Sequence, residues 1–118
     1  MRVSNVICIV IFVLISIRVE AGNIWCSGKV ENLYIDSSKN VMIKGSWRNA
    51  YTRVCKTDGG TGVDTVTCSL WYSILSSSLI HDKPLLLMYY NPDETLSCEN
   101  IPTYGNAPDP AYIMLKKS

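Results

Sequence analysis

Side chains able to exchange protons or attack a substrate are few in this chain. His81 is the only histidine among 118 residues. It falls at the end of a helical pattern, where an imidazole can bond to the last carbonyls and gain from the helix dipole when charged. That capping role is preferred here over a general base. Nucleophilic catalysis needs a base beside the nucleophile and a third group to orient the base. The chain has no G-x-S-x-G, no H-E-x-x-H and no S-x-x-K with partners. The run Ser76-Ser77-Ser78 reads as a solvated or small-residue packing face. The acids Glu31, Asp36, Asp58, Asp64, Asp93, Glu94, Glu99 and Asp109 sit mostly in turns, where their side chains bond to nearby backbone. No two are spaced as a glycosidase pair, and residues 58–64 lack the alternating carboxylates of a calcium loop. These residues argue against an enzyme and imply no metal and no cofactor.

Recognition is better served. Trp47, Arg48 and Asn49 stand next to Tyr51, and Tyr104-Gly105-Asn106 lies within the loop 102–110 that holds three of the five prolines. Both groups place flat rings beside polar donors on irregular segments. A ring face supplies contact area while amides and a guanidinium supply direction, the combination that polar ligands such as sugars require. Trp47, Arg48, Asn49, Tyr51, Tyr104 and Asn106 are therefore the candidate ligand-binding residues. The competing reading makes Trp47 the last core residue of its strand and Tyr104 the packing partner of the proline loop. Trp25 and Trp71 are assigned to the core or to disulfide packing.

The elements that would carry these residues follow from periodicity. Residues 29–36 are rich in strand formers, and the slip between Val30 and Leu33 breaks strict alternation and predicts a bulge. Ser37-Ser38-Lys39-Asn40 is a turn cluster, and residues 41–45 alternate again, so the pair reads as a hairpin. Residues 51–57 form a third strand, with Thr52, Val54 and Lys56 opposite Tyr51, Arg53 and Cys55. Three glycines within residues 58–62 interrupt regular structure. From the N-cap candidate Asp64 to His81, Cys68, Trp71, Leu75 and Leu79 recur at spacings of three and four, with Leu70 and Ile74 widening the stripe. This is the one amphipathic helix, ended by Asp82-Lys83-Pro84. Strands are expected at 85–90, 96–101 and 111–117, with an irregular loop over 102–110. Three strands, one helix, then two or three strands is the order of a small OB-like antiparallel barrel (β-β-β-α-β-β); a flat sheet with the helix on one face is its rival. The fold class is mainly β.

The chain opens with Arg2, an apolar run over residues 6–17 broken by Ser16, and the small-residue site Val19-Glu20-Ala21. This is the pattern of a secretory signal peptide over 1–21, too short for a membrane span of ~20 apolar residues. A single domain over 22–118 is then secreted or periplasmic, with no stable membrane insertion. Removing the leader leaves nine basic and nine acidic residues. No basic stripe marks a nucleic-acid partner, and no N-x-S/T sequon is present, which favours a bacterial exported protein. Removal also takes Cys8, leaving Cys26, Cys55, Cys68 and Cys98. An even count in a small exported domain implies two disulfides. Three connectivities exist; a local Cys55–Cys68 clamp and a long Cys26–Cys98 staple are preferred, since the others tie the local loop to distant segments.

The order of elements, the aromatic near the helix start and the apolar run Pro84-Leu85-Leu86-Leu87-Met88-Tyr89-Tyr90 together resemble the receptor-binding B subunits of five-B-plus-one-A bacterial toxins, the subtilase-cytotoxin and pertussis-like groups above all. The segments 25–30 and 101–108 are similar to those of small exported bacterial proteins. The resemblance implies glycan binding by a ring-forming, homo-oligomeric subunit, although two bridges depart from the commoner single-bridge pattern of that group. The expected function is an exported binding module for a glycan. The alternative is a secreted or periplasmic inhibitor or accessory protein that binds one protein surface.

Overall fold

The structure is a computed structural model that describes residues 22–118; the leader expected over 1–21 lies outside the described residues. Six strands and one helix follow in the order β1 (Ile24–Gly28), β2 (Val30–Ile35), β3 (Asn40–Gly45), β4 (Tyr51–Lys56), α1 (Thr65–His81), β5 (Leu85–Tyr89) and β6 (Tyr112–Leu115). They build two three-stranded antiparallel sheets, β1-β5-β6 and β2-β3-β4. Only Lys29 separates β1 from β2, so one run of extended chain serves both sheets. At that junction the backbone of Lys29 is paired to Ser46 instead of to a strand: its N–H donates to Ser46 Oγ (2.9 Å) and its carbonyl accepts from Ser46 N–H (2.9 Å).

The β2–β3 hairpin forms as its residues predict. Asp36 Oδ1 accepts from the amides of Ser38 and Asn40, and Lys39 takes the left-handed conformation (φ 71) that turns the chain. Those bonds hold the Asp36 carboxyl below the usual carboxylate range, the side-chain bond from Asn40 contributing most. The expected bulge is present as a register shift between Val30 and Asn32, which lets Val30 and Leu33 both turn toward the core.

The helix also forms where its pattern puts it. Asp64 caps it by accepting from Thr67 N–H (2.7 Å), a bond that lowers the Asp64 pKa. Cys68, Leu75 and Ser78 are buried, with Trp71 and Ile74 packed beside them, whereas Leu70 (62 % exposed) and Leu79 face outward. The buried stripe thus ends on a serine, not on Leu79 as expected. The reason is a junction: Ser78 Oγ accepts from Val30 N–H (3.0 Å) and donates to Lys83 O (2.6 Å), holding the start of β2 against the helix exit. His81 is exposed, and its expected capping role is filled by backbone instead. Asp82 adopts the left-handed conformation, and the amides of Asp82 and Lys83 both reach Ser78 O. Ser78→Ala leaves the Val30 amide buried without its acceptor and is expected to lower stability by about 1–3 kcal/mol. Denaturant unfolding checks this, and an unchanged midpoint would show that the junction is held otherwise.

Four expectations are corrected. Four strands, not three, precede the helix: β1 was not anticipated because Cys26 is its only fully buried residue, so it shows no alternation. Residues 96–101 form turns and no strand. Asn91 Oδ1 accepts from Leu96 N–H and its Nδ2 donates to Leu96 O, while Ser97 and Asn100 bond reciprocally, so side chains satisfy this backbone locally. Trp25 is half exposed rather than in the core, and its Nε1–H donates to Tyr112 OH (2.9 Å) on the outer face of β1-β5-β6. The barrel does not close. No strand of the other sheet pairs with β4; its free edge meets only the β5–β6 loop, through a single parallel bridge, Thr52 to Tyr104. The segment that would have to run beside β4 contains Pro102, Pro108 and Pro110, which have no N–H to donate.

Both preferred disulfides are present. Cys55–Cys68 clamps the end of β4 to the first turns of α1 (Cα–Cα 5.7 Å), and Cys26–Cys98 staples β1 to the long loop (Cα–Cα 5.5 Å). The core they enclose joins Val41, Ile43 and Val54 of one sheet to Leu85, Leu87, Tyr89 and Ile113 of the other, with Leu75 from the helix. Among the described residues no helix is long and apolar enough to cross a membrane.

Candidate functional site

The outward face of β2-β3-β4 is read off the register. Tyr34 lies opposite Met42 and Met42 opposite Arg53; Asn32 lies opposite Lys44 and Lys44 opposite Tyr51. Residues two apart share a face of a strand, so Asn32, Tyr34, Tyr51 and Arg53 form one surface floored by Met42, which is buried. Tyr104 is added from the long loop. Its amide donates to Tyr51 O (2.9 Å) and its carbonyl accepts from Arg53 N–H (3.2 Å), which docks it on the free edge of β4.

Three tyrosine rings meet there. Tyr34 and Tyr51 pack edge to face at 5.2 Å, and Tyr51 and Tyr104 stack at 6.1 Å with an interplanar angle of 25°. Asn32 Nδ2 donates to Tyr51 OH (2.9 Å), fixing that ring. Tyr104 remains 52 % exposed and Tyr34 is exposed as well. Partial desolvation by its neighbours, and then the phenol of Tyr104, raise the pKa of Tyr34 above the usual tyrosine value. Arg53 lies alongside: a Cβ built on Gly105 would stand 3.5 Å from its Nη1, and its Nε is buried without a hydrogen-bond partner among the described residues. Tyr104 holds the left-handed conformation (φ 52), at a cost of roughly 1–2 kcal/mol for a residue with a Cβ. Backbone outliers of this kind are held by their surroundings and cluster at ligand sites.

Of the residues expected to bind ligand, the structure brings Tyr51 and Tyr104 together. Asn106 is exposed on the same loop, its amide turned back to Thr103 O. Asn49 is exposed in the β3–β4 connection. Trp47 and Arg48 go elsewhere. Trp47 packs against the core with its ring laid over Gly45 and beside Gly28: a Cβ at Gly45 would fall 2.3 Å from the ring, and one at Gly28 3.0 Å from it. The two glycines are the space the ring needs. Arg48 turns inward; its Nη1 donates to the carbonyl of Ile101 and, at 3.5 Å, to that of Glu99, and its Nη2 donates to Thr52 Oγ1. Burial lowers its pKa, with the Tyr89 phenol opposing that shift.

Three contributors were not anticipated: Asn32, Tyr34 and Arg53. A signal for them did exist. Asn32/Tyr34 and Tyr51/Arg53 are polar or aromatic pairs two residues apart, each facing away from a core position of its own strand.

Chemically the surface offers ring faces and edges, an amide, phenol hydroxyls and a guanidinium. Such groups grip a polar ligand by stacking and hydrogen bonding. Among the described residues there is no enclosed pocket and no convergence of three potential metal ligands, so the surface is open. Comparison with known protein families, with curated proteins and with solved structures finds no match to the chain.

Proposed function

We propose that this is an exported, glycan-binding module of OB-like strand order, left open between β4 and β6, that docks its ligand on the Tyr34–Tyr51–Tyr104 surface. The observation that carries the reading is the exposed Tyr51–Tyr104 stack, assembled from two distant segments. A sugar presents apolar C–H faces and hydroxyl edges together; the stacked rings meet the first, and Asn32, Arg53 and the phenols meet the second. One extended run shared by both sheets and a parallel contact beside β4 support the OB-like order. Two disulfides fit a secreted or periplasmic location. In this reading the protein is a binding subunit and no enzyme, it has no nucleic-acid partner, and it assembles with copies of itself as toxin B subunits do.

Tyr51→Ala and Tyr104→Ala test the site. An aromatic contact contributes about 1 kcal/mol beyond area burial, so each variant is expected to weaken a glycan found by array screening about fivefold. Titration calorimetry measures the loss, and the melting temperature of the Tyr104 variant should stay close to that of the parent. Full affinity in both variants places the ligand elsewhere.

A second reading, an inhibitor or accessory protein for one protein partner, draws on a different face. Trp25, Tyr112 and Met114 leave an exposed apolar surface on β1-β5-β6. Surfaces of this type mark protein contacts when they are contiguous. Co-purification of one protein, lost on Trp25→Ser and kept on Tyr104→Ala, would select this reading.

A further inference from the structure

The loop between β5 and β6 has to deliver Tyr104 to β4 although it is irregular and proline-rich. Its carbonyls at Glu99 and Ile101 have no strand beside them. Arg48 supplies the donors a strand would have supplied: one arm of its guanidinium reaches both carbonyls, and the other reaches Thr52 Oγ1. Thr52 is buried and is the residue of β4 bridged to Tyr104. A single planar fork therefore ties the loop to the strand three residues before Tyr104 and again at the bridge itself.

We propose that Arg48 is the positioning residue of the tyrosine surface, setting the loop so that Tyr104 stacks on Tyr51. This rests on the reading of that surface as the ligand site. Arg48 contributes no ligand contact of its own, because its two Nη groups are turned to the loop carbonyls and to Thr52, and its Nε is buried. Lysine cannot replace it. A lysine carries one compact ammonium on a flexible stem, whereas the guanidinium holds five donors in a fixed plane and can serve two acceptors on different elements at once. The tether also accounts for how Tyr104 is kept in its left-handed conformation: a loop free to relax would move toward ordinary backbone angles and withdraw the ring.

The test is made on the free protein, so it does not depend on knowing the ligand. Amide hydrogen exchange and ring-to-ring nuclear Overhauser contacts are measured in the parent, Arg48→Ala, Arg48→Lys and Thr52→Val. In both Arg48 variants the amides of Tyr104 and Arg53, which form the loop–strand bonds, are expected to exchange at least tenfold faster, and the Tyr51–Tyr104 ring contact is lost. The amides of Val41 and Ile43 in the central strand should stay within about twofold of the parent. A merely structural role would speed both sets alike, which overturns the proposal; so does full restoration by lysine. Should Arg48→Ala fail to fold, Thr52→Val removes one acceptor in a nearly isosteric side chain and must show the same selective loosening in smaller measure. Selective loosening in a protein that binds no glycan sinks the ligand reading and leaves the role of Arg48 standing. Intact Tyr104 protection in all variants does the reverse.

Discussion

Replacing Cys26 and Cys98 together by serine is expected to lower the unfolding free energy by about 4 kcal/mol, against about 3 kcal/mol for the Cys55/Cys68 pair. The difference follows from the chain each bridge closes. The Cys26–Cys98 bridge spans 72 residues and the Cys55–Cys68 bridge 13. Cross-linking removes more freedom from the unfolded chain when the closed loop is longer, although only with the logarithm of its length. For a domain of this size the larger loss is a substantial part of the whole, since small domains are stable by about 5–15 kcal/mol. Guanidinium unfolding of the two double variants measures both numbers. A greater loss for the local bridge would mean that native packing around Cys55 and Cys68, which are both fully buried, outweighs the restriction of the unfolded state.

Trp47→Ala carries the second large effect. The ring lies over Gly45 and beside Gly28 and packs against the core while keeping part of its surface in water. Emptying an aromatic site in a core costs ~3–5 kcal/mol, and partial exposure places this residue at the lower end, about 3 kcal/mol. Glycan affinity, measured where the variant remains folded, should change less than twofold, because Trp47 does not belong to the tyrosine surface. The opposite pattern, a small loss of stability with a large loss of affinity, would return Trp47 to the binding surface and remove it from the core. Gly45→Ala offers an independent check on the packing: its methyl group would collide with the ring, so it should destabilise although it deletes nothing.

What could be read from the residues, and what could not, follows the range of the interactions. The helix was legible because its cap Asp64, its three-and-four spacing and Pro84 all act within a turn or two. The β2–β3 hairpin was legible for a similar reason, with Asp36 bonding two and four residues ahead. The strand wrongly expected over 96–101 shows the limit of pattern alone: a short stretch holding Leu96, Cys98 and Ile101 after a turn reads as a returning strand, yet Asn91, Ser97 and Asn100 occupy the backbone with their side chains. For the site, ring-bearing loops pointed to Tyr51 and Tyr104, but nothing local showed that the two would stack. Their contact depends on the Thr52 bridge and on Arg48 reaching Ile101, pairings between residues far apart in sequence. Arg48 was taken for a ligand contact because its type suits that role equally well; only its hydrogen-bond partners separate the two.

The single run of extended chain divided at Lys29 also sets an order of assembly. Its second half, β2, finds β3 across a short turn, and β4 and α1 follow in sequence, so that sheet can form from neighbouring segments. Its first half, β1, pairs only with β5, which the chain reaches after β2, β3, β4 and the helix have been laid down. Contacts between remote segments are reached late, because the entropy of closing the intervening chain is lost before they form. The earliest strand of the domain is therefore the last to be seated. Cys55 and Cys68 stand 13 residues apart and Cys26 and Cys98 stand 72 apart, so oxidation is expected to run from the local bridge to the remote one.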